Sequence, residues 1–411
     1  MAGNKKTHNP NSLRFRQAKT RAEKLGQVPT PPSIAQLLAS SVPADARRIL
    51  DLGAGKGALA GSVLRRCLKS RALLVDIDAQ AMSRLEDIAP SRTTTANLDV
   101  LRSPIVPQLR VGRSRPDVVV SNPPYAMARL GKASIDRVRC IFPEVQDQGG
   151  WLRSDVVFAA HAWSLLGRNG SFALIVASPI VTQPAFASVR RQLISGLSNL
   201  TVTQLEPKTF EKAEVDAFLI TGRKTPSRGQ NVTLQRCSQD GVVVGERAIS
   251  IEDAMRRMDF GYHEAMTTMN ADARHVIGTL ATLQAAVIRG SRSKNQYAGM
   301  GLQAFHTSHF TTDAEELHLT GGQDGFQNAY RGDILVARVG SRCLTRQARV
   351  TAGEGLFTDC VYRIRVPDAH RALVWSTLNS DFGREWRQAH AVGNCAKHLT
   401  VGTLLTMPVL A

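Results

Sequence analysis

No run of apolar residues in this sequence is long enough to span a membrane. The longest, FALIVASPIV at 172–181, is short and contains Pro179, whereas a spanning helix needs about 20 apolar residues. The first residues, MAGNKKTHNPNSLRFRQAKTRAEKLG, are basic with no apolar stretch. They do not read as a secretory signal, and residues 1–22 are expected to form a basic flexible arm. Cysteine is sparse: six, at 67, 140, 237, 343, 360 and 395, with no CxxC pair and no Cys/His cluster at zinc spacing. That argues against a structural metal, and scattered thiols fit a reducing cytoplasm. There is no repeat of short period and no convincing nuclease motif of the PD…(D/E)xK kind. Acids are outnumbered, since 52 Lys and Arg against 34 Asp and Glu leave a net charge of +18. Solubility does not require such an excess; it points to a polyanionic partner, most often nucleic acid.

At 411 residues the chain suits two domains. From about 47 to 222, strand-like and helix-like segments alternate. RRILDL leads to ALAGSVLRRCL, and ALLVDI leads to DAQAMSRLEDI; TTANLDV and PDVVVSN read as further strands. SDVVFAAHAWSLLG reads as a helix before the strand SFALIVA, and FASVRRQLISGL as a helix before LTVTQLE and VDAFLITG. This predicts a doubly wound α/β sheet with helices on both faces. The last two strands have a short connection and are expected to pair antiparallel. Ahead of the block, TPPSIAQLLAS predicts a helix capped by Thr30, with Pro31 at its first position and Ile34, Leu37 and Leu38 on one face. RKTPSRGQNV reads as a linker, and the residues beyond it as an α+β domain. The expected domains are 23–224 and 225–411.

DLGAGKGAL places Asp51, Gly53, Gly55 and Gly57 where the first strand ends. Glycines there make a tight strand-to-helix turn and let a ligand approach the backbone. A pyrophosphate is one candidate, but the acid at Asp51 suits a ligand carrying an ammonium group. The second strand ends in VDID, where Asp76 can accept both hydroxyls of a ribose. NLDVL follows, where Asp99, with Val100 beside it, can accept from the exocyclic amine of adenine. Each acid alone is an ordinary turn residue. Three at successive strand ends converge on the crevice where open α/β sheets bind ligands.

In this order ILDLGAGKG, VDID, NLDVL and SNPPY resemble class I S-adenosylmethionine-dependent methyltransferases acting on amino groups, over about half of the chain. The resemblance implies that Asp51 handles the methionine moiety, Asp76 the ribose and Asp99 the adenine. SNPPY at 121–125 is similar to the signature [DNS]PP[YFW] of that class. An exocyclic amine is a poor nucleophile, and acceptors aimed at its N–H groups favour the geometry and charge that develop during transfer. Asn122 Oδ1 and the carbonyl of Pro123 would supply them, with Pro124 stiffening the loop and Tyr125 stacking on a planar substrate; Ser121 reads as a spacer. Alone, Asn-Pro-Pro is also a turn signal.

The signature is shared by enzymes acting on adenine in DNA, on adenine or guanine in RNA, and on glutamine in release factors. Two stretches separate them. TFEKAEVDAFLITGRK resembles the gamma-class DNA adenine methyltransferase segment that offers an aromatic ring to a flipped base, which puts Phe210 opposite Tyr125; packing in the core is the plainer role for Phe210. GQVPTPPSIAQLLAS resembles the helix on the cofactor side of that class, so Thr30 and Pro31 would help close the pocket. The C-terminal YRGDILVARVGSRCL, FTDCVYRIRV and LNSDFGREWRQAHAVGNCAKHLTVGTLLTMPV are similar to the target-recognition domains of type I restriction specificity subunits. There Asp333 and Gly340 would be structural. Arg289, Arg292, Lys294, Arg338, Arg342 and Arg346 are candidate DNA contacts, mostly to phosphate. His306 and His309, in HTSHF, read as polar loop residues. The resemblance implies a DNA adenine-N6 methyltransferase with double-stranded DNA as partner and its nuclease, where there is one, in a separate chain. An RNA or glutamine methyltransferase and a DNA-binding module with a decayed catalytic fold remain open.

Overall fold

The computed structural model describes residues 26–81, 89–109, 114–210, 215–226, 229, 231–272, 275–340, 343–393 and 396–411. The expected arm at 1–22, Arg342 and Cys395 lie outside them. Among the described residues, no helix is long and apolar enough to cross a membrane, and no group of three or more His, Cys, Asp or Glu could hold a metal ion. The chain forms two units, Met1–Phe260 and Gly261–Ala411.

The first unit is built on one sheet. Its strands are β1 (Arg48–Leu52), β2 (Arg71–Asp76), β3 (Thr93–Asn97), β4 (Val118–Ser121), β7 (Ser171–Ala177), β8 (Ser198–Leu205), β9 (Ala217–Arg223), β10 (Val232–Cys237) and β11 (Val243–Ile249). A small antiparallel pair, β5 (Met127–Arg129) and β6 (Trp151–Arg153), stands apart. The sheet order is β11-β10-β8-β9-β7-β4-β1-β2-β3. The strands from β3 to β7 run parallel, and β9 is antiparallel to both β7 and β8.

Central strands read as unbroken apolar runs because both faces are covered. In β1 and β4, Leu50, Leu52 and Val119 point into one core with Val157, Phe158, Val189 and Leu193. Ile49, Val118 and Val120 point into the other with Leu38, Leu59 and Val63. Helices α1 (Pro32–Ser40) and α2 (Ala58–Arg66) cover the second face; α4 (Ser154–Leu165) and α5 (Ala187–Gly196) cover the first. Helix α3 (Lys132–Ile141) lies between β5 and β6. Full burial of a side chain such as Ile34 or Leu38 contributes about 1.5–3 kcal/mol.

Three sequence expectations change. Helix α1 starts at Pro32, with Pro31 as its cap and no side-chain cap bond. A residue before proline is held out of the helical region, so Thr30 does not cap and is free for another task. Strand β3 stops at Asn97, so Asp99 and Val100 lie in the turn beyond it. The division falls after residue 260 rather than 224. RKTPSRGQNV connects two strands of one sheet, because Val232 and Leu234 of β10 are buried and β10 pairs parallel to β8, with β11 antiparallel outside it. Helix α6 (Ile251–Arg256) then packs Ala254 into the same core.

The second unit has a sheet ordered β13 (Ala286–Arg289), β19 (Val361–Arg365), β17 (Ile334–Ala337), β18 (Gln347–Phe357) and β14 (Ala304–Phe305). Strands β15 (Ala314–Leu319) and β16 (Asn328–Tyr330) pair with β18, and β12 (Val276–Thr279) pairs with β20 (Pro408–Leu410). Helices α7 (Phe260–Asp272), α8 (Lys294–Ala298), α9 (Asp368–Asn379), α10 (Asp381–His390) and α11 (Val401–Leu405) accompany these strands. Asp333, 2% exposed, opens β17. It accepts from Tyr330 N and, bidentately, from Arg365 at 2.6 and 2.7 Å. Asp333→Ala leaves those donors without an acceptor and is expected to cost about 1–3 kcal/mol, read as a lower urea midpoint for the full chain. An unchanged midpoint would remove Asp333 from the framework of this unit.

Candidate active site

The chain builds outward from β1 through β2 and β3, then returns to lay β4 on the other side of β1. Loops leaving such a strand pair diverge, and the crevice between them takes ligands in open α/β sheets. The glycine-rich loop leaves β1 here and SNPPY leaves β4, with Leu52 in register with Ser121. The Ser121 hydroxyl donates to the Leu52 carbonyl at 2.5 Å. Ser121 is therefore more than a spacer, since it stitches the two loops together at their root.

Gly53, Gly55 and Gly57 have φ of +73°, +53° and +76°, which L side chains rarely adopt. Gly53 N and Ala54 N donate to Val75 O, and Gly55 N to Asp76 Oδ2 at 2.8 Å. A Cβ on Gly53 would lie 3.1 Å from the Phe158 ring, whereas one on Gly55 would meet nothing within 4 Å. The open flank of the loop is thus at Gly55. Asp51 is the penultimate residue of β1 rather than part of the loop, and it is fully buried. Its Oδ2 accepts from Ala60 N at 3.1 Å, while Oδ1 has no partner. Burial, opposed by the Ala60 amide and reinforced by Asp76, pushes its carboxyl from 3.8 up to about 7. Oδ1 is thus a buried acceptor open to a donor.

Asp76 ties three strand ends together. Besides Gly55 N, its carboxylate accepts from Asp78 N at 2.8 Å, and its carbonyl accepts from Leu98 N and Asn97 Nδ2, both at 3.0 Å. Asp78, 7% exposed, also takes the amide of Gln27 at 3.5 Å. Both were missed from the sequence, although the second acid of VDID was a signal for Asp78. Asp99 Oδ1 accepts from Leu101 N at 2.9 Å, a turn that closes on itself, and the Val100 carbonyl takes the Ser134 hydroxyl at 3.3 Å. Asp51, Asp76 and Asp99 therefore stand at or just past the ends of three neighbouring strands.

Across the crevice, both N–H groups of the Asn122 amide are used: Nδ2 donates to Val28 O at 3.1 Å and to Thr30 Oγ1 at 2.9 Å. That orientation leaves Oδ1 as a pure acceptor. The Tyr125 hydroxyl donates to it, and burial, with Asp155 nearby, holds the phenol well above its usual 10, so it keeps its proton. Oδ1 retains a second lone pair. No described residue donates to the Pro123 carbonyl. Segment 26–30 straps this loop from outside, for a Cβ on Gly26 would lie 3.2 Å from Pro124. Val28 acts through its main chain and left no side-chain signal. Pro31 contributes only the cap of α1.

Tyr125 and Phe210 are buried, with ring centroids 6.3 Å apart at 64°. Sequence reasoning brought these two rings together. A base sandwiched between parallel rings needs roughly 7 Å, twice the stacking repeat, so the separation nearly suffices and the tilt does not. Behind Tyr125, Asp155 is fully buried; it pairs bidentately with Arg153 at 2.8 and 3.0 Å and accepts from Ala177 N at 3.1 Å. That pair, also unforeseen, fixes the start of α4 to the end of β7.

Residues 33–142 match the Methyltransferase small domain family. Over 126 residues the chain is 30% identical to the release factor glutamine methyltransferase of Agrobacterium fabrum (strain C58 / ATCC 33970), covering 30% of this chain and 43% of that protein. The chain thus spans under half the length of this relative. Among solved structures, the type IIG restriction endonuclease BpuSI aligns with 93% of this chain and 59% of its own, at 12% identity and a TM-score of 0.51. The methyltransferase subunit of a type I restriction-modification system from Streptococcus thermophilus aligns with 61% of this chain and 54% of its own, at 16% identity and a TM-score of 0.42. The sheet order, the glycine-rich turn after its first strand and the match over 33–142 give the N-terminal unit a class I methyltransferase fold.

Proposed function

We propose that this protein is a site-specific DNA adenine-N6 methyltransferase that uses S-adenosylmethionine and serves a restriction–modification system. The observation that carries this reading is the Asn122 amide, anchored through both N–H groups so that only its oxygen faces a substrate amine. The residues fit the cofactor. The unpartnered Oδ1 of Asp51 suits its ammonium group, the Asp76 carboxylate its ribose hydroxyls, Asp99 and Val100 its adenine, and the open flank at Gly55 its close approach.

When bound, S-adenosylmethionine supplies a methyl group on an electrophilic sulfonium. Asn122 Oδ1 and Pro123 O accept the two N–H bonds of the target amine. They favour a more tetrahedral nitrogen and stabilise the positive charge that grows on it. An amide cannot act as a general base and none is needed, since the proton leaves after transfer. Tyr125 and Phe210 hold the flipped base once Phe210 turns parallel to Tyr125. Flipping costs a few kcal/mol, and stacking returns roughly 1–3 kcal/mol per base.

Tyr125→Phe keeps the ring and frees Oδ1 of its competing donor, so turnover within a few-fold of wild type is expected. Tyr125→Ala and Phe210→Ala are expected to weaken handling of the base about 5- to 150-fold, from the same stacking range. A 2-aminopurine at the target reports this by its fluorescence. Equal signals from all three variants would contradict the stacking roles.

A second reading is N-methylation of a protein glutamine, favoured by the Agrobacterium relative; the same acceptors would serve a primary amide. Sequencing genomic DNA at single-molecule level from a host expressing the protein decides. N6-methyladenine confined to one short sequence supports the DNA reading, while an unmodified genome in cells making folded protein refutes it.

A further inference from the structure

Two turns of the N-terminal unit meet where the chain leads into Phe210. Strands β8 and β10 run parallel and finish level, with Leu205 in register with Cys237. The turn 206–209 carries the chain from β8 to Phe210, and the turn 238–242 joins β10 to β11. They are tied together directly. Glu206 Oε2 accepts from Gln239 N at 3.0 Å, and the Pro207 carbonyl takes the Gln239 side-chain amide at 3.4 Å. Beneath them Leu205, Phe210 and Cys237 are buried in one core with Tyr125. The hairpin is anchored in turn. Gln239 O accepts from the Ser33 hydroxyl of α1 at 3.0 Å, and a Cβ on Gly241 would lie 2.8 Å from Ser33 O.

The turn before Phe210 holds a residue in an unfavourable conformation. Thr209 N and the Thr209 hydroxyl donate to Glu206 O at 3.1 and 2.6 Å, which closes a four-residue turn. Pro207 stands second in it, and Lys208, third, has a φ of +68°. A type II turn has this layout, and its third place favours glycine or asparagine because φ is positive there. Lysine keeps such a φ only where its surroundings impose it. Here the hairpin surrounds the turn, and the Glu206 side chain reaches out to bind it.

We propose that Glu206 is a positioning residue: by docking on the main-chain N–H of Gln239 it holds the turn that aims Phe210 at the flipped base. The inference rests on the DNA reading above and adds how one of the two rings is aimed. Phe210 follows the turn directly, so a change in the backbone at Lys208 swings its ring, whereas Tyr125 is tied separately to Asn122. The partner of Glu206 is a neutral N–H, so the turn needs an acceptor there and not a charge. Glu206 is exposed. As a bare charge beside a polyanion it would only hinder binding; as an acceptor it has a task.

The test measures methyl transfer to duplex DNA carrying the sequence found by the genomic sequencing above, together with the fluorescence of 2-aminopurine at the target. Glu206→Ala is expected to raise KM for the duplex and to lower the fluorescence about fivefold, the low end of the loss expected on removing the ring itself. Glu206→Gln keeps an acceptor and is expected to stay within about twofold of wild type. A target opposite an abasic site costs less to flip, so the Glu206→Ala deficit should shrink there to under about twofold. Lys208→Gly suits a positive φ without help, so adding Glu206→Ala to it should cost less than about twofold. If the wild type methylates no DNA, the DNA reading falls and this proposal with it. With an active wild type, a Glu206→Gln as impaired as Glu206→Ala assigns the effect to charge and overturns the docking. A Glu206→Ala deficit of equal size on paired and abasic targets, or undiminished beside Lys208→Gly, overturns the aiming of Phe210.

Discussion

Asn122→Ala is expected to lower kcat about 100- to 1000-fold while the protein still binds S-adenosylmethionine. The magnitude is that of losing one preorganised acceptor or donor aimed at developing charge. The cause is specific to this loop. The Asn122 amide is oriented by Val28 O and Thr30 Oγ1, so no reorganisation is needed when the amine arrives. Alanine removes the acceptor and also unfastens segment 26–30, so a several-fold loss of cofactor affinity is expected beside the loss of turnover. Asn122→Asp separates these effects. It restores an acceptor but has no N–H to donate, and it sets a carboxylate against the Val28 carbonyl. It is therefore expected to be nearly as slow as alanine. Single-turnover transfer and calorimetry on the same preparations read the two quantities. Near-wild-type transfer by Asn122→Ala would remove the amide from the mechanism.

Asp51→Asn is expected to make the unliganded protein more stable at pH 8 and to weaken cofactor binding. Burial raises this carboxyl from 3.8 to about 7, so between those values the folded chain holds a proton that the unfolded chain has released. Stability linked to Asp51 is full below about pH 4 and is lost as pH rises through 7. The ionised form costs the fold about 4 kcal/mol at most. Asparagine avoids that cost but brings a buried N–H in place of the unpartnered Oδ1, which returns about 1–3 kcal/mol. A net gain of about 1–3 kcal/mol at pH 8, turning into a loss of about 1–3 kcal/mol at pH 4, is expected in urea melts. Binding of a cation should fall roughly 10- to 100-fold, since a hydrogen bond to a charged group is worth about 1.5–3 kcal/mol. Binding to the wild type should release a proton below pH 7, which calorimetry in buffers of different ionisation enthalpy detects. A variant with unchanged affinity would break the link between Asp51 and the ammonium group.

Much of the N-terminal unit was legible because its strands are buried on both faces and punctuated by helices. Strands β10 and β11 were not. VTLQRC and VVGERAI follow a polar, glycine-bearing stretch, and their tie to the first sheet is a non-local pairing with β8. In the site, side chains at strand ends could be named in advance. Their hydrogen-bond partners could not. The amide of Asn122 is set by a main-chain carbonyl 94 residues earlier, which no local pattern encodes. Similar reasoning covers Tyr125 and Phe210: their pairing followed from motif order, their tilt from packing. The C-terminal unit yielded a fold class and a few residues such as Asp333, but its sheet order depends on non-local strand pairing that the sequence does not display.

The strap across the SNPPY loop bears on how the gene can be cut. A chain begun after Thr30 would keep all nine strands and both cores, and by spectroscopy or solubility it would pass for intact. Its Asn122 would be free to rotate, offering a donor where an acceptor is needed. Shortened versions made for crystallisation or fusion would then look healthy and turn over poorly, because a boundary at Pro32, the first residue of α1, cuts the strap away.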